Sequence, residues 1–265
     1  MPQLKLANVD IHYDVYGSGE PLVLIPGFTA GAWIWFKQIA QLATKFRVIT
    51  FDPRGIGRSS FASEPLTMRL LADDTAALLH DLGIEQAHIL GVSFGGFVAQ
   101  EFALAYPEAT RTLSLCCTSF GGPNHVSPSI DILTAVLSRN GFNSEERIRR
   151  ILLPAFSPDF VRSHPGEVDE VIKLRLANPV VEEAFNAQLK AGIGFDAESR
   201  VGGIKAPTLV LSGEADAIVP VQNSRNLAEQ IPGARLRLVA GGSHLFFIEQ
   251  ADEFNRIVTE FLVQN

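Results

Sequence analysis

Six short, largely apolar runs, at 22–25, 48–51, 89–92, 113–117, 209–211 and 236–239, constrain this chain more than any other feature. Each is strand-length, and none alternates cleanly between apolar and polar residues. That pattern fits strands buried on both faces, as in a parallel sheet. Two earlier runs, 4–7 and 9–16, do alternate and predict antiparallel strands at a sheet edge, with the turn Gly17-Ser18-Gly19 after them. Helical patterns separate the apolar runs. Residues 68–82 place Leu70, Leu71, Thr75, Leu78, Leu79 and Leu82 on one stripe, with Thr67 as N-cap and Gly83 as terminator. Residues 94–106 and 252–263 read as two more helices. Strand–helix alternation of this kind predicts an α/β fold, a mostly parallel, doubly wound sheet with helices on both faces.

One stretch breaks the rhythm. Between 121 and 200 no strand-like run occurs, and helical segments follow one another at about 128–139, 144–153, 167–177 and 179–191. Asn143 with Glu146, and Asn178 before Pro179, read as helix starts. The expected organisation is therefore a core of residues 1–120 and 201–265 carrying a helical cap insertion at 121–200. Such an insertion would lie near the carboxyl ends of strands, where α/β ligand sites lie. A chain of 265 residues is long enough to bury a core without disulfides or metal.

Composition excludes several function classes. The net charge is −7, without basic runs, which argues against nucleic acid or an anionic membrane surface as partner. No apolar run reaches transmembrane length. The N-terminus alternates like a strand and lacks a signal peptide's basic and apolar regions. Cys116 and Cys117 are adjacent and cannot staple the fold. They read as buried thiols of a cytoplasmic protein, without metal-ligand spacing.

The chemistry concentrates at Gly91-Val92-Ser93-Phe94-Gly95, which follows an apolar run and opens a helix. A sharp strand-to-helix turn holds its serine clear of the sheet beside a helix N-terminus, and it brings the residues on either side so close together that they must be small. Ser93 is the candidate nucleophile. A serine hydroxyl needs a base. Of the six histidines, His12, His80 and His88 lie in regular elements, and His125 and His164 in the insertion. His244 lies in the loop Gly241-Gly242-Ser243-His244 after the last strand and is the candidate base. The acid belongs after the preceding strand, in Gly213-Glu214-Ala215-Asp216. Asp216 is the first choice and Glu214 the reserve. Its work is to fix the histidine tautomer and stabilise the imidazolium. The segment 52–59, with Gly55-Ile56-Gly57, lacks the phosphate-loop lysine and the third glycine of a dinucleotide loop, so it reads as a structural turn with Arg54 tying loops together.

With these residues in place, the chain resembles the α/β-hydrolase superfamily over essentially its whole length. The marks are the 26–33 loop, the 52–60 segment, 91–96, 213–216 and 242–244. It is most similar to small cap-bearing carboxylesterases and 3-oxoadipate enol-lactonase-like hydrolases. The resemblance implies the chain order Ser93, Asp216, His244, and an oxyanion hole of the Phe28 and Phe94 amides. The family commonly has His-Gly where this chain has Pro26-Gly27. An alternative acid site of the fold, after the strand ending near Cys117, holds no carboxylate here. Ser93 argues against dehalogenases and epoxide hydrolases, which use aspartate, and the insertion has no tyrosine. Leu245 stands where carbon–carbon bond hydrolases usually carry Trp.

The expected function is hydrolysis of a small-molecule carboxylic ester or lactone through an acyl-serine, with no metal and no cofactor. Two alternatives stand beside it. One is a ligand receptor or signalling regulator of the same fold with slow turnover. The other is an enol-lactonase or carbon–carbon bond hydrolase of an aromatic degradation pathway. Eighteen Phe against 3 Tyr and 2 Trp suit an apolar pocket. Thr29, Phe120, Phe142, Phe185, Val219 and Leu245 are the expected substrate contacts. The pocket loops, Phe28-Thr29, Phe94, Phe120, Val219 and Leu245-Phe246, hold no Lys or Arg, and the cationic residues of the insertion, among them Arg139, Arg147, Arg175 and Lys190, have helix-surface neighbours. Neutral esters are therefore the expected substrates.

Overall fold

The computed structural model describes residues 2–62, 64–138 and 143–265. Eight strands form one sheet: β1 (Gln3–Lys5), β2 (Asp10–Tyr16), β3 (Glu20–Ile25), β4 (Phe46–Phe51), β5 (Ala87–Val92), β6 (Thr110–Cys116), β7 (Thr208–Gly213) and β8 (Arg235–Val239). Their order across the sheet is β1-β2-β4-β3-β5-β6-β7-β8. Strands β3 to β8 are parallel, and β2 runs against both of its neighbours. The six runs are thus the parallel strands, and the two alternating ones lie at an edge; β8 departs from the expectation of burial on both faces, because it forms the opposite edge with Arg235 and Arg237 exposed.

The helices are α1 (Ile39–Leu42), α2 (Met68–Asp81), α3 (Phe94–Ala105), α4 (Ile130–Leu137), α5 (Glu145–Leu152), α6 (Pro158–Ser163), α7 (Pro165–Ala177), α8 (Glu182–Ile193), α9 (Gln222–Gln230), α10 (Phe246–Glu249) and α11 (Ala251–Val263). Helix α2 starts where Thr67 accepts the Leu70 N–H, and the chain leaves it through Gly83 at φ 66°. One core cluster joins α2, α3 and α9 to one face of the sheet. A second joins α1 and α11 to the other face and continues into α5 and α7 through Ile148, Val171 and Ile172. The α5–α7 part of the long segment between β6 and β7 therefore extends the second layer, while α8 touches the first cluster through Ala187 and Ala191. The two ends of the segment meet where Gly121 and Asp196 pair as an isolated bridge and Ala197 donates to the Phe120 carbonyl, 2.8 Å.

Two helix starts differ from the sequence expectation. Ser144, not Asn143, caps α5, accepting the Arg147 N–H, while Asn143 turns left-handed at φ 63°. Helix α8 begins after Val181, because the chain is still extended there, three residues beyond Asn178. Helix α6, opened by Ser157 and Pro158, has no counterpart in the expected segments. The turn after β4 is structural: Arg54, fully packed, reaches both oxygens of Asp74 at 2.7 and 2.5 Å and also contacts Glu64.

His88 lies wholly buried in β5, its Nδ1 2.8 Å from Thr112 Oγ1 and its Nε2 3.2 Å from Glu20 Oε2. Burial pushes its pKa below the ordinary histidine value, against the pull of Glu20, so the Glu20 contact is a neutral hydrogen bond and not an ion pair. The folded chain binds this proton less readily than the unfolded one. The associated stability is complete above about pH 6.5 and declines as pH falls through that unfolded value. Denaturant midpoints measured at pH 7.5 and 5.5 should differ more in wild type than in His88→Gln. An equal difference in both proteins would show that His88 does not contribute.

Candidate active site

Ser93 is the hinge between β5 and α3. Its φ of 55° and ψ of −120° are strained for any residue with a Cβ, at a cost of about 1–3 kcal/mol. Three bonds hold it there: Ser93 N to Cys116 O, Gly96 N to Ser93 O and Thr118 Oγ1 to Ser93 O, each 2.8 Å. The glycines answer a steric demand. A methyl group at Gly91 would lie 2.2 Å from the Gly95 carbonyl oxygen, and one at Gly95 would lie 2.3 Å from the Ile25 oxygen. The loop after β3 comes close as well, since a methyl group at Gly27 would touch Ser93 Cβ at 3.5 Å. Among the described residues, neither the Phe28 nor the Phe94 amide donates to another protein group. Phe94 opens α3, where the first N–H groups have no intrahelical acceptor.

His244 and Asp216 come from the loops after β8 and β7. His244 Nδ1 lies 2.8 Å from Asp216 Oδ2, and the carboxylate is sealed from solvent. The other oxygen, Oδ1, accepts the Ile218 and Val219 amides, both at 2.8 Å. The two loops fit because Gly213 has no side chain: a methyl there would sit 2.2 Å from the Gly242 oxygen. A proton on Nδ1 satisfies the carboxylate and leaves Nε2 basic, a tautomer assigned from this network. Glu214 is exposed and does not take part.

Cys117, just past β6 at φ 48°, places its sulfur behind the acid. Burial and then the Asp216 charge push this thiol well above the usual range, so it stays protonated. Cys117, Asp216 and His244 bring ligand atoms within 4.8 Å of one another. Such a trio could hold a metal ion, but the Nδ1–Oδ2 hydrogen bond already engages two of its three members. Adjacent spacing of Cys116 and Cys117 gave no hint of this grouping, whose other members lie 99 and 127 residues further along the chain.

Ser93 and His244 open onto one cavity of about 540 Å³. Of the expected contacts, Thr29, Phe185, Val219 and Leu245 line it, as do Phe28 and Phe94. Phe120 does not. It is buried in the core cluster on the α2–α3 side of the sheet, in the loop four residues past β6, after the chain has turned left-handed at Cys117. Phe142 and Arg139 lie outside the described residues. The Phe28 ring meets Phe185 at 5.1 Å and Phe94 at 6.0 Å, so α8 packs directly on the loop after β3. Gln188 of α8 adds a hydrogen bond from Thr29 N, 2.8 Å. Sequence reasoning missed Trp33, Phe97, His125 and Gln188 on the cavity wall, and also Arg147 and Arg175.

These positions separate a packing phenylalanine from a contact phenylalanine. Phe120→Ala should lower unfolding free energy by about 3–5 kcal/mol and leave relative rates among acyl chain lengths as in wild type. Phe185→Leu should cost less than about 1.5 kcal/mol and shift acyl-chain preference by about tenfold or more. Chemical denaturation and kcat/KM across an ester series check both, and a selectivity change confined to Phe120 would reverse the assignment.

Residues 20–251 match the family model described as the alpha/beta hydrolase fold, and the chain belongs to that family. It is 30% identical over 261 residues, 98% of each chain, to the protein named "Putative carbamate hydrolase RutD" in Azorhizobium caulinodans. It is 33% identical over 244 residues to the poly(3-hydroxyalkanoate) depolymerase of Ectopseudomonas oleovorans, covering 92% of this chain and 84% of that one. Among solved structures it is similar to the enol-lactonase from Burkholderia xenovorans LB400, with a TM-score of 0.87 and 26% identity over 99% of this chain and 100% of that one. These relatives support hydrolase activity. No helix among the described residues is long and apolar enough to cross a membrane.

Proposed function

We propose that this protein is a serine hydrolase that cleaves small carboxylic esters or lactones through an acyl-serine. The observation that carries this is the juxtaposition, at one cavity, of a strained Ser93 at a helix N-terminus with a His244 whose Nδ1 is held by the buried Asp216 at 2.8 Å. Ser93 Oγ attacks the carbonyl carbon and gives its proton to His244 Nε2. The Phe28 and Phe94 amides receive the charge that develops on the carbonyl oxygen. The tetrahedral intermediate collapses, His244 returns the proton to the leaving alkoxide, and an acyl-serine remains. Water then gives a proton to His244 and attacks the acyl carbon; as the acyl–Oγ bond breaks, His244 returns that proton to Ser93 Oγ and the acid is released. Asp216 stays ionised throughout and supports the imidazolium.

The helical segment between β6 and β7 acts in this proposal as a cap: α5, α7 and α8 supply the wall facing Ser93, and Phe185 and Gln188 brace the oxyanion loop. The small-molecule partner enters under this cap. A cytoplasmic setting accompanies it, since Cys116 and Cys117 are free, buried thiols. The test is a panel of aryl esters and lactones followed to many turnovers, with a fluorophosphonate probe mapped by peptide sequencing. Steady turnover together with a label on Ser93 supports the hydrolase. A single turnover that ends in a lasting adduct would favour a receptor of the same fold.

A further inference from the structure

Ester cleavage as described employs one histidine, yet a second lines the same cavity. His125 lies in the turn that leads from β6 into the cap, and that turn is firmly held. The His125 N–H donates to Gly122 O at 3.3 Å. Val126 N donates to Asn223 Oδ1 at 2.9 Å, and Asn223 Nδ2 donates back to Val126 O at 2.8 Å. The His125 ring is half-buried, with Nδ1 2.9 Å from Ser119 Oγ. Ser119 decides the tautomer. Its oxygen already accepts the Gly121 N–H at 3.1 Å, and it is buried, so its own proton needs a protein acceptor. Among the described residues that acceptor is His125 Nδ1. Ser119 therefore donates to Nδ1, and the ring's proton sits on Nε2, a tautomer assigned from the network. Burial lowers the pKa of His125 and so keeps the ring neutral.

The ring edge opposite Ser119 thus carries an Nε2–H that meets no acceptor among the described residues. Gln188 on α8 repeats the pattern. It must turn Oε1 toward the Thr29 N–H, and this leaves its buried Nε2 without an acceptor. The arginines of the wall differ. Arg147 and Arg175 are buried, 3% and 8% exposed, against the expectation that the insertion's cations sit on solvated faces. Both tie the cap together, Arg147 Nε donating to Ser138 O at 2.7 Å and Arg175 Nη1 to Asn178 O at 2.8 Å. No Asp or Glu is among the described residues lining the cavity. An acceptor for the His125 Nε2–H must therefore arrive with the ligand. A ligand that fills the cavity with hydrocarbon alone would strip this donor of water and give nothing in return. A neutral donor makes no ion pair, so its natural complement is an uncharged oxygen.

We propose that His125 is a substrate-binding residue whose Nε2–H selects esters and lactones that carry a second, uncharged acceptor oxygen, a keto, ether or hydroxyl group, in the part of the molecule that does not react. This rests on Ser93 being the nucleophile of a hydrolase. His125 holds no proton for the reaction and touches only the remote oxygen; Ser93 and His244 open onto the same cavity and do the chemistry.

The test moves a keto oxygen carbon by carbon along the acyl chain of phenyl octanoate, and likewise along the alkyl chain of octyl acetate. Each ketone is compared with the methylidene compound in which a CH₂ group replaces the oxygen, after division by the rates of hydroxide hydrolysis. Wild type should favour one ketone by about fivefold or more in kcat/KM, and its place shows whether His125 stands on the acyl or the alcohol side. Two variants part binding from structure. His125→Asn puts an acceptor where Nδ1 was and nothing at Nε2, so the preference should fall to within about twofold of one. His125→Gln reaches the Nε2 position and gives up the Ser119 bond, so part of the preference should remain. A merely structural His125 would show the reverse: the ratio kept in His125→Asn, and both compounds slowed by the same factor in His125→Gln. That pattern, or a wild-type ratio near one at every position, overturns the proposal. Calorimetry of the same compounds with the Ser93→Ala protein separates the two layers. Tighter binding of one ketone by about fivefold, lost when His125→Asn is added, supports the binding role even if wild type turns over neither series, an outcome that would sink the hydrolase. Equal binding within every pair, with both series turned over by wild type, overturns the role of His125 and leaves the hydrolase standing.

Discussion

Ser93→Ala is expected to lower kcat for ester hydrolysis by about 10⁴–10⁶-fold, the cost of removing a nucleophile from a concerted triad. The fold should be untouched. Alanine carries the same Cβ into the same left-handed conformation, φ 55°, so the strain at the hinge between β5 and α3 is neither added nor removed. The bonds that hold the turn are made by the backbone of residue 93, through its N–H to Cys116 O and its carbonyl to Thr118 Oγ1 and Gly96 N. Unfolding free energy should therefore change by less than about 0.5 kcal/mol. Ser93→Gly tests the strain directly. It too should be inactive, but glycine adopts this conformation at little cost, so the protein should gain about 1 kcal/mol of stability. An alanine variant that keeps more than about a tenth of wild-type kcat would remove Ser93 from the mechanism. A glycine variant less stable than wild type would mean that the hydroxyl, and not only the backbone, holds the turn.

Much of this site was legible because its constraints are local. Gly91, Ser93 and Gly95 are fixed by what a strand-to-helix turn can accommodate within five residues. The apolar continuity of 89–92 and 113–117 marks strands covered on both faces. The pairing of His244 with Asp216 was legible through chain order only, since the contact joins two loops 28 residues apart. What failed was the side-chain direction of single residues at element ends and on cap helices. Phe120 lies four residues past the end of β6, beyond the left-handed Cys117, where strand alternation no longer sets side-chain direction, and its ring enters the core. The arginines were missed although the periodicity held the signal. Arg147 shares a stripe with Ile148, Ile151 and Leu152, and Arg175 completes the spacing Val168, Val171, Ile172, all buried on α7. A charge at an apolar position of an amphipathic helix points inward with its neighbours. The polar residues flanking it in sequence lie on the opposite face and say nothing about its own surroundings. Asn143 was misplaced by one residue as a helix cap, because Asn and Ser are both good caps and only the left-handed φ of Asn143 decides between them.

Asp216→Asn should lower kcat by about 10⁴-fold with little change in KM, because it reverses the polarity of one hydrogen bond without changing shape. The carboxylate now accepts three N–H groups, from Ile218 and Val219 at Oδ1 and from His244 Nδ1 at Oδ2. An amide has one oxygen and one NH₂. The two backbone amides are fixed donors, so the oxygen must stay with them, and the NH₂ then faces His244. The imidazole can accept that donor only with its Nδ1 lone pair, which moves its proton to Nε2, the atom that must take the proton from Ser93. The base is thereby neutralised while the cavity and the oxyanion amides remain in place, so substrate binding persists. Turning the amide the other way would set NH₂ against two backbone N–H groups in a site closed to water, and it would leave those donors unsatisfied at about 1–3 kcal/mol each. Glu214→Gln, two residues away and exposed, should alter kcat by less than about threefold. Steady-state kinetics on the two variants decide between the carboxylates. A large loss in Glu214→Gln with activity kept in Asp216→Asn would mean that the 2.8 Å bond seen here is not the one that orients the base.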